Sequence, residues 1–280
     1  GLALVRGEVA FDRGRFTTDG FANVYGLQAG DILVPIVNAR IVGDNDQIAL
    51  RDVQARVRGT AVEGDLLYDV NTGSLDGSFV GGTVVLADWG PETLGGRGQL
   101  LAARVTGTLD SPEVATLFSL RDVNLGGVYS ASGSLVARLT DNRVDLESFR
   151  LGMGGGEMVA SGFYDLGTES YILQAILSEA RVRTEPNGDP ALATHLILDG
   201  AVSVQGQGDE LTYAVSNLQA TDINVGDQYF GSGPINASWQ NGEVAFQAEF
   251  GTLDRFVVIR DGVYRPGDNV LNAHADLLGF

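Results

Sequence analysis

An all-β fold is predicted by three features of the sequence. Short runs alternate apolar with polar residues, Gly, Asn and Asp recur at the ends of those runs, and helical periodicity is nearly absent. Gly is abundant at 39 residues against 7 Pro, with neither a collagen period nor a low-complexity tract. Only Glu113 to Leu120 and Ser178 to Arg183 have spacings that suit a turn or two of helix. Helix-linked parallel sheets are therefore not expected, and an antiparallel meander of many strands is.

The first stretch, Leu2 to Phe11, alternates around Arg6 and Glu8 and turns at Asp12-Arg13-Gly14. Ile32 to Val37 is an apolar run broken by Pro35, which suits a strand buried on both faces or an edge strand where Pro costs no ladder bond. Val53, Ala55 and Val57 oppose Gln54, Arg56 and Arg58. Val62, Gly64, Leu66, Tyr68 and Val70 repeat the pattern before a turn at Asn71-Thr72-Gly73. Val84 to Leu86 end at Asp88-Trp89-Gly90-Pro91, a place for an irregular detour. Leu101, Ala103, Val105, Gly107 and Leu109 then lead to a turn at Ser111-Pro112.

From Ser134 the pattern sharpens. Strands are expected over Ser134 to Leu139, Val144 to Leu151 and Glu157 to Leu166. Val144 and Leu146 share one parity while Phe149 and Leu151 take the other, so a bulge is expected near Ser148. Leu196, Leu198, Gly200, Val202 and Val204 share a parity, and Leu211, Tyr213 and Val215 continue it. Asn241-Gly242 between Ile235 to Trp239 and Val244 to Phe250 supplies the two positive-φ positions of a type I′ hairpin. Asp261-Gly262 suggests another hairpin, and Leu271 to Leu277 a final strand.

Two architectures fit. One is a closed sandwich or barrel with a dry core. The other is an elongated, curved, open sheet whose apolar parity lines a trough. Closed sheets are commoner, but so many strands without a helix or linker favour a sheet that grows by adding hairpins. The whole chain, 1–280, is read as one continuous repetitive β-segment of a longer protein, since it opens at Gly1 without an initiator Met.

The formal charge is −18 and every basic residue other than His is Arg. Such acidity disfavours nucleic acid, whose phosphates need Lys and Arg to displace their counterions. Absence of Cys excludes thiol catalysis, disulfides and thiolate metal ligands. Phosphate loops of the Walker type need a Lys, and no G-x-S-x-G elbow occurs. Gly152-Met-Gly-Gly-Gly156 precedes no helix and is read as a bulge or point of close approach. His195 and His274 lie far apart on polar positions and read as surface residues. Asp44-Asn45-Asp46, Asp222 to Asp227 and Gly95 to Gln99 have the composition of calcium loops without their spacing, and read as turns. No cofactor or metal is expected. No spacing singles out a carboxylate pair, so a carboxylate-based enzyme on an all-β fold ranks last among the functions.

Gly107-Thr-Leu-Asp-Ser-Pro-Glu-Val114 resembles the "G-x-L-x-x-P-x-V" line of the TamB and AsmA-like envelope proteins. Gly133-Ser-Leu135, Val144 to Leu151, Gly154 to Glu157 and Ala160 to Leu166 follow in the order that family uses. The resemblance is best over residues 98–178. It implies a segment of a taco-like β-groove in the periplasm of a diderm bacterium, with its membrane anchor outside this segment. The resemblance further implies that the groove carries phospholipid or other acyl chains between the inner and outer membranes. An alternative is a scaffold that assists outer-membrane β-barrel assembly by strand addition. Lining candidates taken from the apolar parity are Val144, Leu146, Leu211, Tyr213, Val215, Ile235, Trp239, Val244, Phe246, Phe250, Leu271 and Leu277. An acyl chain burying ~10 methylenes gains on the order of 8 kcal/mol relative to water.

Overall fold

The computed structural model describes residues 2–29, 32–88, 94–125, 128–184, 193–208, 210–265 and 270–279. Among them there is no α-helix, and twenty strands form one antiparallel sheet that is not closed. The closed sandwich or barrel is thereby excluded.

The strands follow the chain. They are β1 (Leu2–Asp12), β2 (Arg15–Ala29), β3 (Ile32–Asp44), β4 (Gln47–Val57), β5 (Thr60–Asp69), β6 (Leu75–Gly81) and β7 (Thr83–Val85). A single 3-10 turn at Leu86–Asp88 stands where the detour was expected, while Trp89 to Pro91 lie outside the described residues. Then come β8 (Leu94–Gly107), β9 (Pro112–Leu125), β10 (Val128–Thr140), β11 (Arg143–Met153), β12 (Gly156–Asp165) and β13 (Ser170–Thr184). The last are β14 (Thr194–Gln207), β15 (Glu210–Val225), β16 (Gln228–Gln240), β17 (Glu243–Gly251), β18 (Phe256–Arg265), β19 (Val270–Asn272) and β20 (Ala275–Leu278).

The turns behave as their residues require. Arg13 and Gly14, and Asn241 and Gly242, have φ of 50° and 82°, and 55° and 81°, the left-handed pair a type I′ hairpin needs. Gly154 and Gly155, at φ 64° and 115°, close the turn between β11 and β12. Pro35 sits in β3 beyond the start of its ladder with β4, which begins at Val37↔Ala55, so no bond on that side is lost.

Four expectations are corrected. Glu113–Leu120 and Ser178–Arg183 are strand, in β9 and β13. At the second, Glu179 bulges at φ 49°, so Leu177 and Ala180 share a face three residues apart and imitate a helical spacing. Asp261-Gly262 makes no hairpin; it lies inside β18, where the ladder with β17 slips between Phe246 and Ala248. The final strand is two short ones, both paired with β18. Leu101 is exposed and Leu100 buried, so the run from Leu101 to Leu109 does not keep one parity. The bulge expected near Ser148 is present, as a register shift between Leu146 and Phe149.

The chain forms two compact units, Gly1–Leu120 with Leu135–Asn142, and Arg121–Ser134 with Arg143–Phe280. In the first, Ile41↔Leu50, Leu50↔Leu66, Leu66↔Gly77 and Gly77↔Val105 run as one uncharged row from β3 to β8. Arg40 pairs with Asp19 at 2.7 Å on the opposite face. The second unit repeats the arrangement over more strands.

Candidate functional site: an uncharged sheet face

Ladder partners stand side by side on one face, so the register assigns faces directly. In the second unit one row runs Leu151↔Met158↔Leu177↔Gly200↔Leu218↔Ile235↔Ala248↔Ile259↔Ala275, crossing from β11 to β20. The next runs Phe149↔Ala160↔Ala175↔Val202↔Ser216↔Ala237↔Phe246↔Gly262. From β11 to β20, every residue that its ladder partners place on this face is uncharged. The other face carries Arg143, Arg150, Glu157, Arg181, Asp199, Glu243, Glu249, Arg265 and Asp276. Its ion pairs, among them Arg143–Asp145 at 2.7 Å and Arg265–Glu243 at 2.6 Å, are solvent-exposed and contribute at most about 1 kcal/mol each.

The uncharged face is the sheltered one. Ala180 and Ala220 on it are 0% exposed, whereas Ile176, four residues before Ala180 and on the charged face, is 60% exposed. An alanine on a flat single sheet cannot hide from water, so the second unit bends toward its uncharged face. Bulges produce such bends. Those at Glu179 and Asp222, φ 49° and 54°, each set a buried apolar residue next in sequence, Ala180 and Ile223. In the first unit Asp52 does the same before Val53. The amides of Asp52 and Glu179 donate to the carboxylates of Asp65 and Asp199 on the next strand, at 3.0 and 2.8 Å.

Crowding inside a bend favours small residues, and Gly recurs there. A Cβ at Gly233 would lie 1.7 Å from the Glu249 carbonyl oxygen, and one at Gly156 2.1 Å from that of Glu179.

Of the lining candidates, Val144, Leu146, Leu211, Ile235, Trp239, Val244, Phe246, Phe250, Leu271 and Leu277 share the uncharged face. Tyr213 and Val215 do not. They pair with Gln205 and Ser203, because the β14–β15 ladder slips between Gln205 and Gly206 and turns the start of β15 over. The candidates also omitted Leu151, Leu177 and Leu218 in the central row, and the whole face of the first unit. Simple alternation would have found the first unit's Val62, Leu66 and Tyr68.

Of the three runs read as turns, Asp44-Asn45-Asp46 closes one, whereas Gly95 to Gln99 lies inside β8 and Asp222 to Val225 inside β15, where the ladder with β16 slips. Asp44 Oδ1 accepts from the amides of Asp46 and Gln47, which holds its carboxyl below the ordinary carboxylate range. Asn45 bridges to Phe16 and Gly14, and Asn71 donates to Asp46, so this acidic run ties neighbouring hairpin turns together. Asn224 folds back onto the Asp222 carbonyl at 2.7 Å. His195 lies on the charged face, opposite Arg183 and Asn224. Among the described residues no group of three or more His, Asp or Glu could hold a metal ion, and no buried side-chain nitrogen or oxygen lacks a partner.

Compared with protein-family models, curated proteins and solved structures, the chain matches none.

Proposed function

We propose that the chain carries lipid acyl chains along the uncharged faces of its sheet, as a non-enzymatic segment of an envelope protein that moves phospholipid between membranes. The observation that carries the reading is the unbroken uncharged row from Leu151 to Ala275 on the sheltered side of a bent, open sheet. Apolar surface of this extent is rare on proteins that have no use for it. The residues that resemble the TamB and AsmA-like proteins, within 98–178, contribute β11 and β12 to this face, and support the periplasm as its place.

The mechanism is passive. Each buried methylene contributes about 0.8 kcal/mol, so a chain gains by leaving water. Neighbouring rows offer similar contacts, so it moves between them without crossing a polar barrier. Charges kept to the opposite face maintain solubility without interrupting that path.

Native mass spectrometry of the purified chain, with lipid extraction in parallel, tests this. Co-purifying phospholipid is expected, and its loss in Leu218→Asp with the fold intact by circular dichroism. A chain that stays free of lipid after incubation with phospholipid vesicles contradicts the proposal.

A further inference from the structure

The uncharged face is not uniform across its width. At one end of the strands it carries aromatic side chains with a polar tip. Tyr164 pairs with Tyr171, and Tyr171 with Gly206, whose missing side chain leaves room for the Tyr171 hydroxyl. Trp239 and Tyr264 are each ladder partners of Val244, and the Trp239 indole N–H donates to the Leu211 carbonyl at 2.9 Å. Toward the opposite strand ends the face carries Met153, Val182, Leu196, Phe250 and Val257, with Phe230 packed edge-on against Phe250 at 6.3 Å, and the polar Thr184, Thr194 and Gln228 stand at the tips of β13, β14 and β16.

Tyr and Trp have an apolar body and a hydrogen-bonding tip, so they favour the boundary where hydrocarbon meets water. Membrane proteins place them at the headgroup level for that reason. Resting on the lipid-carrying reading, we propose that bound lipid has a fixed orientation: the headgroup leaves over the Tyr164–Tyr171–Trp239–Tyr264 edge, and the acyl termini point toward Phe230, Phe250 and Val257. Carboxylates lie beside that edge, and its two arginines, Arg143 and Arg265, already hold Asp145 and Glu243. The headgroup is therefore met by tyrosine hydroxyls and solvent rather than by a cationic clamp, while the Trp239 indole, its N–H already given to Leu211, supplies an apolar wall.

The chain has two tryptophans, so Trp89→Phe leaves Trp239 as the sole tryptophan, excited selectively at the red edge where tyrosine does not absorb. This variant is loaded with phosphatidylcholine carrying a doxyl quencher either near the headgroup or at the acyl terminus. Quenching by the headgroup-proximal label is expected to be at least about twofold stronger, as for an interfacial indole. Equal or reversed quenching, with lipid bound by native mass spectrometry, overturns the orientation and leaves lipid carriage standing. Absence of bound lipid overturns the reading beneath it. In the unaltered chain, phosphatidylcholine with a diazirine at the acyl terminus serves as the second measurement. Adducts are expected at the Phe250 and Val257 strand ends, and adducts confined to peptides holding Tyr164 or Tyr264 contradict the orientation.

Discussion

Gly200 shows how a single position holds the bend. Its φ of 137° is closed to other residues, and a Cβ there would stand 2.1 Å from the Asn217 carbonyl oxygen. Gly200→Val must shift both strands, and we expect it to cost about 3 kcal/mol. Ala201→Val, its neighbour on the exposed face, should change stability by no more than about 0.5 kcal/mol. Urea denaturation of the two variants makes the comparison, and equal midpoints would refute the steric account. The acidic residues at positive φ follow the same logic from the other side. Asp and Asn enter the left-handed region more readily than most side chains, which suits Asp52, Asp122 and Asp222 to their φ of 51°, 51° and 54°.

Strands and turns reveal a repeat. Asp69 Oδ1 accepts from the amides of Asn71 and Thr72 and from the Thr72 hydroxyl, which lies 2.8 Å from the Ser74 hydroxyl. Asp165 accepts in the same way from the amides of Gly167 and Thr168 and from the Thr168 hydroxyl, which lies 2.8 Å from the Ser170 hydroxyl. The strands before each turn correspond too, since the β4–β5 ladder slips between Leu50 and Val53 as the β11–β12 ladder slips between Leu146 and Phe149. The module β4–β5–β6 thus recurs as β11–β12–β13. Both carboxyls are held below the ordinary value of 3.8, by hydrogen bonds from Thr72 and Thr168 first, and Asp44 is lowered by its own turn amides. A carboxylate depressed in the folded state adds stability that is present above its unfolded pKa and lost as pH falls through the folded one. Thermal melts should therefore hold above about pH 4 and fall below it. Asp69→Asn with Asp165→Asn should flatten that acid limb; an unchanged slope would show that the turns do not set it.

This repeat is legible in the sequence. Tyr68-Asp69-Val-Asn-Thr72-Gly-Ser74 and Tyr164-Asp165-Leu-Gly-Thr168-Glu-Ser170 share their Tyr, Asp, Thr and Ser. Strand order, the Asn241-Gly242 hairpin and the Ser148 bulge could be read because each depends on residues close in sequence. Tyr213 and Val215 could not be placed, because their face depends on a slip against β14 that only pairing reveals.

At the scale of the whole molecule, the chain exposes 17233 Å². A folded monomer of 29.5 kDa ordinarily exposes about 11,500 Å². Few large side chains among the described residues are fully buried, Val123 among them at 0% exposure, and the uncharged faces are sheltered at Val53, Ala180 and Ala220 but open on the outer strands, at Val5, Phe11, Leu271 and Leu277. The charged face is not wholly polar either: Leu2, Leu4 and Phe21 are exposed there in the first unit. What separates the two faces is charge, kept to one side throughout β1 to β8 and β11 to β20. The central claim is that lipid occupies the uncharged side. Leu218 pairs with Ile235 on that face, and Asn217 pairs with Asn236 on the other, one residue away in the same two strands. A photocrosslinking residue placed at Leu218 or at Asn217, in a chain incubated with phospholipid vesicles, tests it most directly. Lipid adducts are predicted from position 218 and not from 217; equal adducts at both, or none at 218, would contradict the account.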